Sequence, residues 1–164
     1  TAGLMQSNVI CSDIEMRRRV DRVINIFEVC EVNPFGPDAL VAAYNESEEW
    51  LDELNRYLYD NYLELKRFFA EYMPKIEVLK LEGTYLVWVD ISALEFTSDE
   101  LEAKLRDEGK VYLNSGTMYG RRAGQGYMRI NIACPRSRMI DGLTRMAKVL
   151  APYMEDDCDM GCPS

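Results

Sequence analysis

Apolar and polar positions change period several times along this chain, and each change marks an element. Over residues 13–28, Ile14, Val20, Val23, Ile24 and Phe27 share one side of a helical pattern. NPFGP (33–37) breaks that pattern with two prolines and a glycine, and DALVAAYN (38–45) predicts a short second helix. The longest signal follows. Between Ser47 and Met73, Trp50, Leu51, Leu54, Tyr57, Leu58, Tyr62, Leu65, Phe68, Phe69 and Tyr72 recur at helical spacing. Asn45 with Glu48 resembles a capping box, and Pro74 ends the run. At the usual rise per residue this helix spans about 40 Å, long enough to bridge two packed units.

After Pro74 a period of two takes over. KIEVLKL (75–81) and TYLVWVDI (84–91), separated by Glu82-Gly83, predict a β-hairpin. Thr97 with Glu100 forms a second capping box for a helix over 98–108, closed by Gly109. KVYLNS (110–115) predicts a strand and GTMYGRRAGQG (116–126) a flexible loop. GYMRINIACPR (126–136) contains a further strand, and an amphipathic helix from Arg136 to Leu150 closes the pattern near Pro152. Residues 75–152 therefore read β-β-α-β-β-α, a small α/β sandwich of the α+β kind with its helices on one face. GLMQSNVICS (3–12) predicts a short, largely buried strand. Residues 1–45 have no sheet of their own, so they are expected to complete a domain begun before Thr1. Residues 153–164 are expected to form an acidic, irregular tail.

Charge and composition narrow the chemistry. A net charge of −9 argues against sequence-independent binding of nucleic acid, which needs many basic contacts to phosphate. The Arg17-Arg18-Arg19 run with Arg22 lies in a helical pattern and reads as a solvated face. No stretch approaches the roughly 20 apolar residues that span a bilayer, and no leader pattern is visible. Five cysteines, odd in number and irregularly spaced, suit reduced thiols and a cytoplasmic protein. Cys158 and Cys162 lack the partners that a zinc set needs, so no metal site is expected. The absence of histidine excludes Ser-His-Asp and Cys-His catalysis within these residues.

One position stands apart. In GYMRINIACPR, alternation puts Met128, Ile130, Ile132 and Cys134 on one face and Tyr127, Arg129, Asn131 and Ala133 on the other. Arg129 stays charged at any working pH and is costly to bury alone. It either pairs with an internal Asp or Glu, or it awaits an external carboxylate, whose geometry its fork matches. Asn131 beside it and the glycine-rich loop before it favour the second reading.

Five segments in order carry a resemblance: AGLMQSNVI (2–10), NPFGPDALVAAYNESEEWLDELNRYLYDN (33–61), EGTYLVWVDIS (82–92), LNSGTMYG (113–120) and GYMRINIACPRSRM (126–139). They resemble the C-terminal part of fold-type I pyridoxal-phosphate (PLP) enzymes of the class I/II aminotransferase superfamily, above all the branch of cystathionine β-lyase-like C–S lyases. The resemblance implies that residues 1–46 end a large PLP-binding domain and 47–74 form an interdomain helix. Residues 75–152 would be the small domain, with a tail over 153–164. It also implies that the Schiff-base lysine lies about four positions before Thr1, so that no catalytic residue falls within the chain and the isolated chain is inactive. Arg129 would bind the α-carboxylate of an amino-acid substrate, and Asn114, Gly116 and Tyr119 would border its pocket. The family's phosphate-binding arginine has no counterpart in LMQSN (4–8), which leaves Ser7 as the candidate cofactor ligand there. The implied assembly is a homodimer. The implied reaction is C–S β-elimination, with transamination, or a standalone carboxylate-binding or dimerisation module, as alternatives. Arg121 and Arg122 read as solvated loop charges that could also meet a distal carboxylate.

Overall fold

Strict alternation gives one small sheet two unlike faces. In the computed structural model, which describes residues 2–154, β1 (Glu77–Val78), β2 (Leu86–Asp90), β3 (Asn114–Ser115) and β4 (Tyr127–Asn131) form an antiparallel sheet. The strand order is β1-β2-β4-β3. Val78 pairs with Val89, Val89 with Met128, and Val87 with Ile130, and all five side chains are buried. The register fixes the other face at the same time: Trp88 and Asn114 both stand opposite Arg129.

Three helices add to the core beside the valine and methionine face. In α3 (Glu48–Tyr72), Leu58, Tyr62, Leu65 and Phe69 form a buried stripe at helical spacing. α4 (Ser98–Asp107) adds Leu101 and Leu105, and α5 (Arg136–Leu150) adds Met139, Leu143, Met146 and Leu150. The stripe on α3 includes one polar residue. Fully buried Asn61 donates to the carbonyls of Ile132 and Cys134 at 3.0 and 3.1 Å and accepts from Arg136 Nε at 3.1 Å. It thereby fixes the chain as it leaves β4 and enters α5. Arg145 of α5 does the same at the far end of α4, donating to the carbonyls of Gly109 and Lys110.

The predicted order β-β-α-β-β-α is the observed one, and α5 has its expected bounds. The Thr97–Glu100 capping box forms as predicted, each side chain bonded to the other's backbone N–H. The outer strands are shorter than expected, because their backbone donors are bonded elsewhere. Ile76 N–H bonds back to Met73, and Val111 N–H to Leu105, so the regular pairing is two residues long in each segment, with Leu79 N–H reaching Trp88 O just beyond β1. Lys110, at φ 51°, takes the left-handed turn after α4 that had been expected of Gly109.

The chain divides into two compact units between Leu54 and Asn55, within α3. The first holds α1 (Ile14–Ile26) and α2 (Gly36–Glu46). Asp13 caps α1, its carboxylate accepting from Met16 N–H at 2.7 Å. Asn45 lies inside α2 and therefore cannot cap α3. The strand expected over 3–12 does not form. Ala2–Leu4 make a 3-10 turn, Met5 turns left-handed at φ 51°, and Val9 and Ile10 are exposed; no other described segment of this unit offers a ladder. Of the tail expected over 153–164, Tyr153 instead closes a 3-10 turn (Ala151–Tyr153) and meets the Phe96 ring edge-on at 4.8 Å, while residues 155–164, with Cys158 and Cys162, lie outside the described residues.

Replacing Asn61 by alanine takes the side-chain partner from the Cys134 carbonyl and leaves the buried Ile132 carbonyl with the Cys134 N–H alone. The expected cost is about 2–3 kcal/mol, read as a lower urea midpoint at unchanged slope. A loss under about 0.5 kcal/mol would mean that these carbonyls do not depend on it.

Candidate functional site

The open face of the sheet is built from the same alternation that builds the core. Arg129 sits at the middle of β4 on this face, half-buried, with Trp88 of β2 on one side and Asn114 of β3 on the other. Among the described residues no Asp or Glu lies within ion-pairing distance of it. Its guanidinium carbon instead lies 4.3 Å from the centre of the Tyr119 ring. Tyr119 in turn is held twice: its hydroxyl accepts from Asn114 Nδ2 at 2.8 Å, and its ring meets that of Trp88 edge-on at 5.5 Å.

Two hollows flank Trp88 on this face. One, of about 350 Å³, is walled by Arg129 and the turn Leu79–Thr84. The other, of about 250 Å³, is lined by Gly116, Tyr119, Ala123, Gly124 and Tyr127, and both share Leu79 and Trp88. The structure therefore brings together four of the residues singled out in the sequence: Arg129, Asn114, Gly116 and Tyr119. Ser7 is an exposed residue of the first unit. Arg121 and Arg122 are exposed, and Arg121 borders a separate hollow with Asp99, Thr117, Met118 and Gln125.

The glycine-rich loop is fastened rather than slack, and the fastener is the first turn of α4. Fully buried Ser98 donates to Gly124 O and accepts from Gly126 N–H at 2.9 Å and Tyr127 N–H at 3.1 Å. Asp99 accepts from the hydroxyls of Ser115 and Thr117, and Glu102 from Ser115 N–H at 3.0 Å. Gly116 and Gly124 meet backbone to backbone, so a methyl group on either would strike the other's carbonyl. Residues Gly116–Tyr119 then form a single 3-10 turn that delivers the Tyr119 ring to Arg129. Sequence reading missed Trp88, Ser98, Asp99 and Glu102. The alternation that singles out Arg129 also puts Trp88 on one face of its strand, whereas the bonds of α4 run over 13 to 29 residues and leave no local pattern.

The hydrogen bonds from Ser115 and then Thr117 hold the Asp99 carboxyl below its ordinary value. A carboxyl lowered in the folded state stabilises the fold above its unfolded value, about pH 4, and that contribution is lost as pH falls through the lowered one. Glu100, lowered by the backbone and then the hydroxyl of Thr97, acts in the same window. The urea midpoint is therefore expected to fall with acidification below about pH 4, less steeply in Asp99→Asn. Equal slopes in the two proteins would show that Asp99 carries no such linkage.

The donor set on this face suits a carboxylate; an aldehyde cofactor would need an amine. Lys66, Lys80, Lys110 and Lys148 are exposed, Lys104 pairs with Glu108 at 2.8 Å, and half-buried Lys75 is already engaged. None of the described lysines is thus a desolvated nucleophile, and none is placed to form a Schiff base with PLP.

Residues 7–145 match the family model of aminotransferase class I and II. Cystathionine beta-lyase PatB of Bacillus subtilis (strain 168) is 35% identical over 150 residues, covering 92% of this chain. The chain spans 38% of that relative's length. Cystalysin from Treponema denticola, whose structure contains a pyridoxal 5'-phosphate cofactor, superposes with a TM-score of 0.87 at 29% identity, covering 92% of this chain and 38% of that one. A PLP-bound C–S lyase from Staphylococcus hominis superposes at 0.78 with 31% identity, over 91% of this chain and 36% of that one. With an architecture shared with PLP-bound enzymes and a family match over most of its length, the chain belongs to the PLP-dependent class I and II aminotransferase family.

Proposed function

We propose that this chain serves a PLP-dependent enzyme that cleaves the C–S bond of an amino acid by β-elimination, and that Arg129 binds the substrate's α-carboxylate. The observation that carries the proposal is the Arg129 guanidinium, ion-paired to no described carboxylate, at the wall of a hollow whose one acid, Glu82, pairs with Lys80, and with Asn114 and Tyr119 beside it. The C–S lyase names of its relatives support the choice of reaction, and the family model's name supports transamination as the second reading. PLP, when bound, supplies the electron sink that makes a proton at Cα removable.

The part played by Arg129 is orientation. Two parallel N–H bonds to the carboxylate remove its rotation and fix which bond at Cα faces the reactive group. Asn114 holds the Tyr119 hydroxyl, the Tyr119 ring lies against the guanidinium, and Gly116 lets the loop backbone lie close to the pocket. β-Elimination from a cystathionine-type substrate then releases a thiol and an enamine, which one water hydrolyses to pyruvate and ammonia. The removed proton goes to a lysine that we place before Thr1, and the exposed Ser7 hydroxyl serves the cofactor phosphate. In this reading 1–46 close the large domain, 47–74 join it to the small domain over 75–152, and the enzyme works as a homodimer. The free thiols of Cys11, Cys30 and Cys134 support a cytoplasmic setting, and no helix among the described residues is long and apolar enough to cross a membrane.

The test is to supply cystathionine to the full-length protein and follow thiol and pyruvate together. Both are expected in equal amounts, and Arg129→Ala is expected to lower kcat/KM about 100-fold or more, with Arg129→Lys recovering part. Keto-acid exchange without thiol release would make the enzyme an aminotransferase. An unchanged kcat/KM in Arg129→Ala would remove the carboxylate assignment.

A further inference from the structure

An arginine with no ion-pair partner has many rotamers, and each must be given up when it grips a ligand. A site that restrains the guanidinium beforehand binds more tightly for that reason alone. We infer that Tyr119 is the positioning residue that presets Arg129 for a carboxylate ligand; the inference rests on the reading of Arg129 as the substrate's docking group.

Three observations converge on this role. The Tyr119 ring centre lies 4.3 Å from the guanidinium carbon, within the range where the π-face attracts a cation. Such a contact restrains a guanidinium without occupying the N–H groups that a carboxylate would take, which an Asp or Glu in the same place would do. The ring is itself restrained on two sides, by the Asn114 amide at its hydroxyl and by the Trp88 indole at 5.5 Å. Its backbone belongs to the 3-10 turn Gly116–Tyr119, tied to α4 through Ser115 and Thr117 on Asp99. With 49% of its surface exposed, Tyr119 contributes little to the core, and a mainly structural role does not account for the restraints on it.

The test measures affinity, so it does not depend on which reaction follows. Calorimetric titration of the full-length, PLP-loaded protein compares L-norleucine with pentylamine, which is the same molecule without its carboxylate. Tyr119→Leu is expected to weaken norleucine about 3- to 30-fold and to leave pentylamine unchanged. Tyr119→Phe, which keeps the ring, should stay within about threefold of the parent. In an Arg129→Ala background Tyr119→Leu should add less than about a twofold change. Should Tyr119→Leu fail to fold, Tyr119→Gln is a second ringless variant suited to the ring's exposure. Equal weakening of both ligands, no weakening of either, or an undiminished effect without Arg129 would overturn the inference while leaving the arginine's own role intact. If Arg129→Ala itself leaves norleucine binding unchanged, the reading of Arg129 falls, and this inference with it.

Discussion

The buried hydroxyl of Ser98 joins two parts of the chain that sequence keeps far apart. It stands at the first position of α4, where the capping box of Thr97 and Glu100 has already fixed the helix start. From there it takes up the N–H groups of Gly126 and Tyr127 and gives its proton to the Gly124 carbonyl. Those backbone groups begin β4, the strand that carries Arg129. Tyr127 N–H and the Gly124 carbonyl also bond to each other, so the group that depends on Ser98 alone is Gly126 N–H, which would otherwise cost roughly 1–3 kcal/mol. The position of Arg129 therefore depends on the start of a helix about thirty residues earlier, through a single oxygen with all its bonding capacity in use.

The neighbouring acids make the same junction bear on the other side of the site. Asp99 and Glu102 hold Ser115 and Thr117, and so the turn that ends in Tyr119. One helical turn thus fixes both the strand of the guanidinium and the loop of the ring stacked on it. This explains a loop rich in glycine that is nonetheless well fastened. Gly116 and Gly124 are there because two backbones touch, and the resulting closeness brings the loop within reach of α4.

What was legible in the sequence follows from the range of the forces involved. Capping boxes and helical stripes act within one turn or a few, and α5 and the start of α4 were placed correctly from them. Period two gave both faces of β4, and so set Arg129 apart from Met128 and Ile130. The short outer strands were not legible, since alternation over 75–81 and 110–115 says nothing of which N–H groups turn back on a helix end. Nor were Ser98 and Asp99. Their polar side chains look like ordinary first-turn residues, and their partners 16 to 29 positions away follow no periodic rule. The expected strand over 3–12 failed for a related reason: β-propensity requires a neighbour to pair with, and the described part of that unit contains only helices and turns.

The surroundings of Arg129 leave it without an internal ion-pair partner among the described residues. A half-buried guanidinium could have been satisfied by an acid at one of the facing positions of the sheet, and the chain carries many acids. Trp88 and Asn114 occupy those positions instead. An acid there would contribute a strong internal ion pair and use up the fork that a ligand's carboxylate needs. An aromatic ring offsets part of the cost of partial desolvation and leaves the donors available. The neighbours of this arginine thus leave its fork unpaired, as the proposed carboxylate role requires, and they are set by the same cross-strand register that closes the core on the sheet's opposite face.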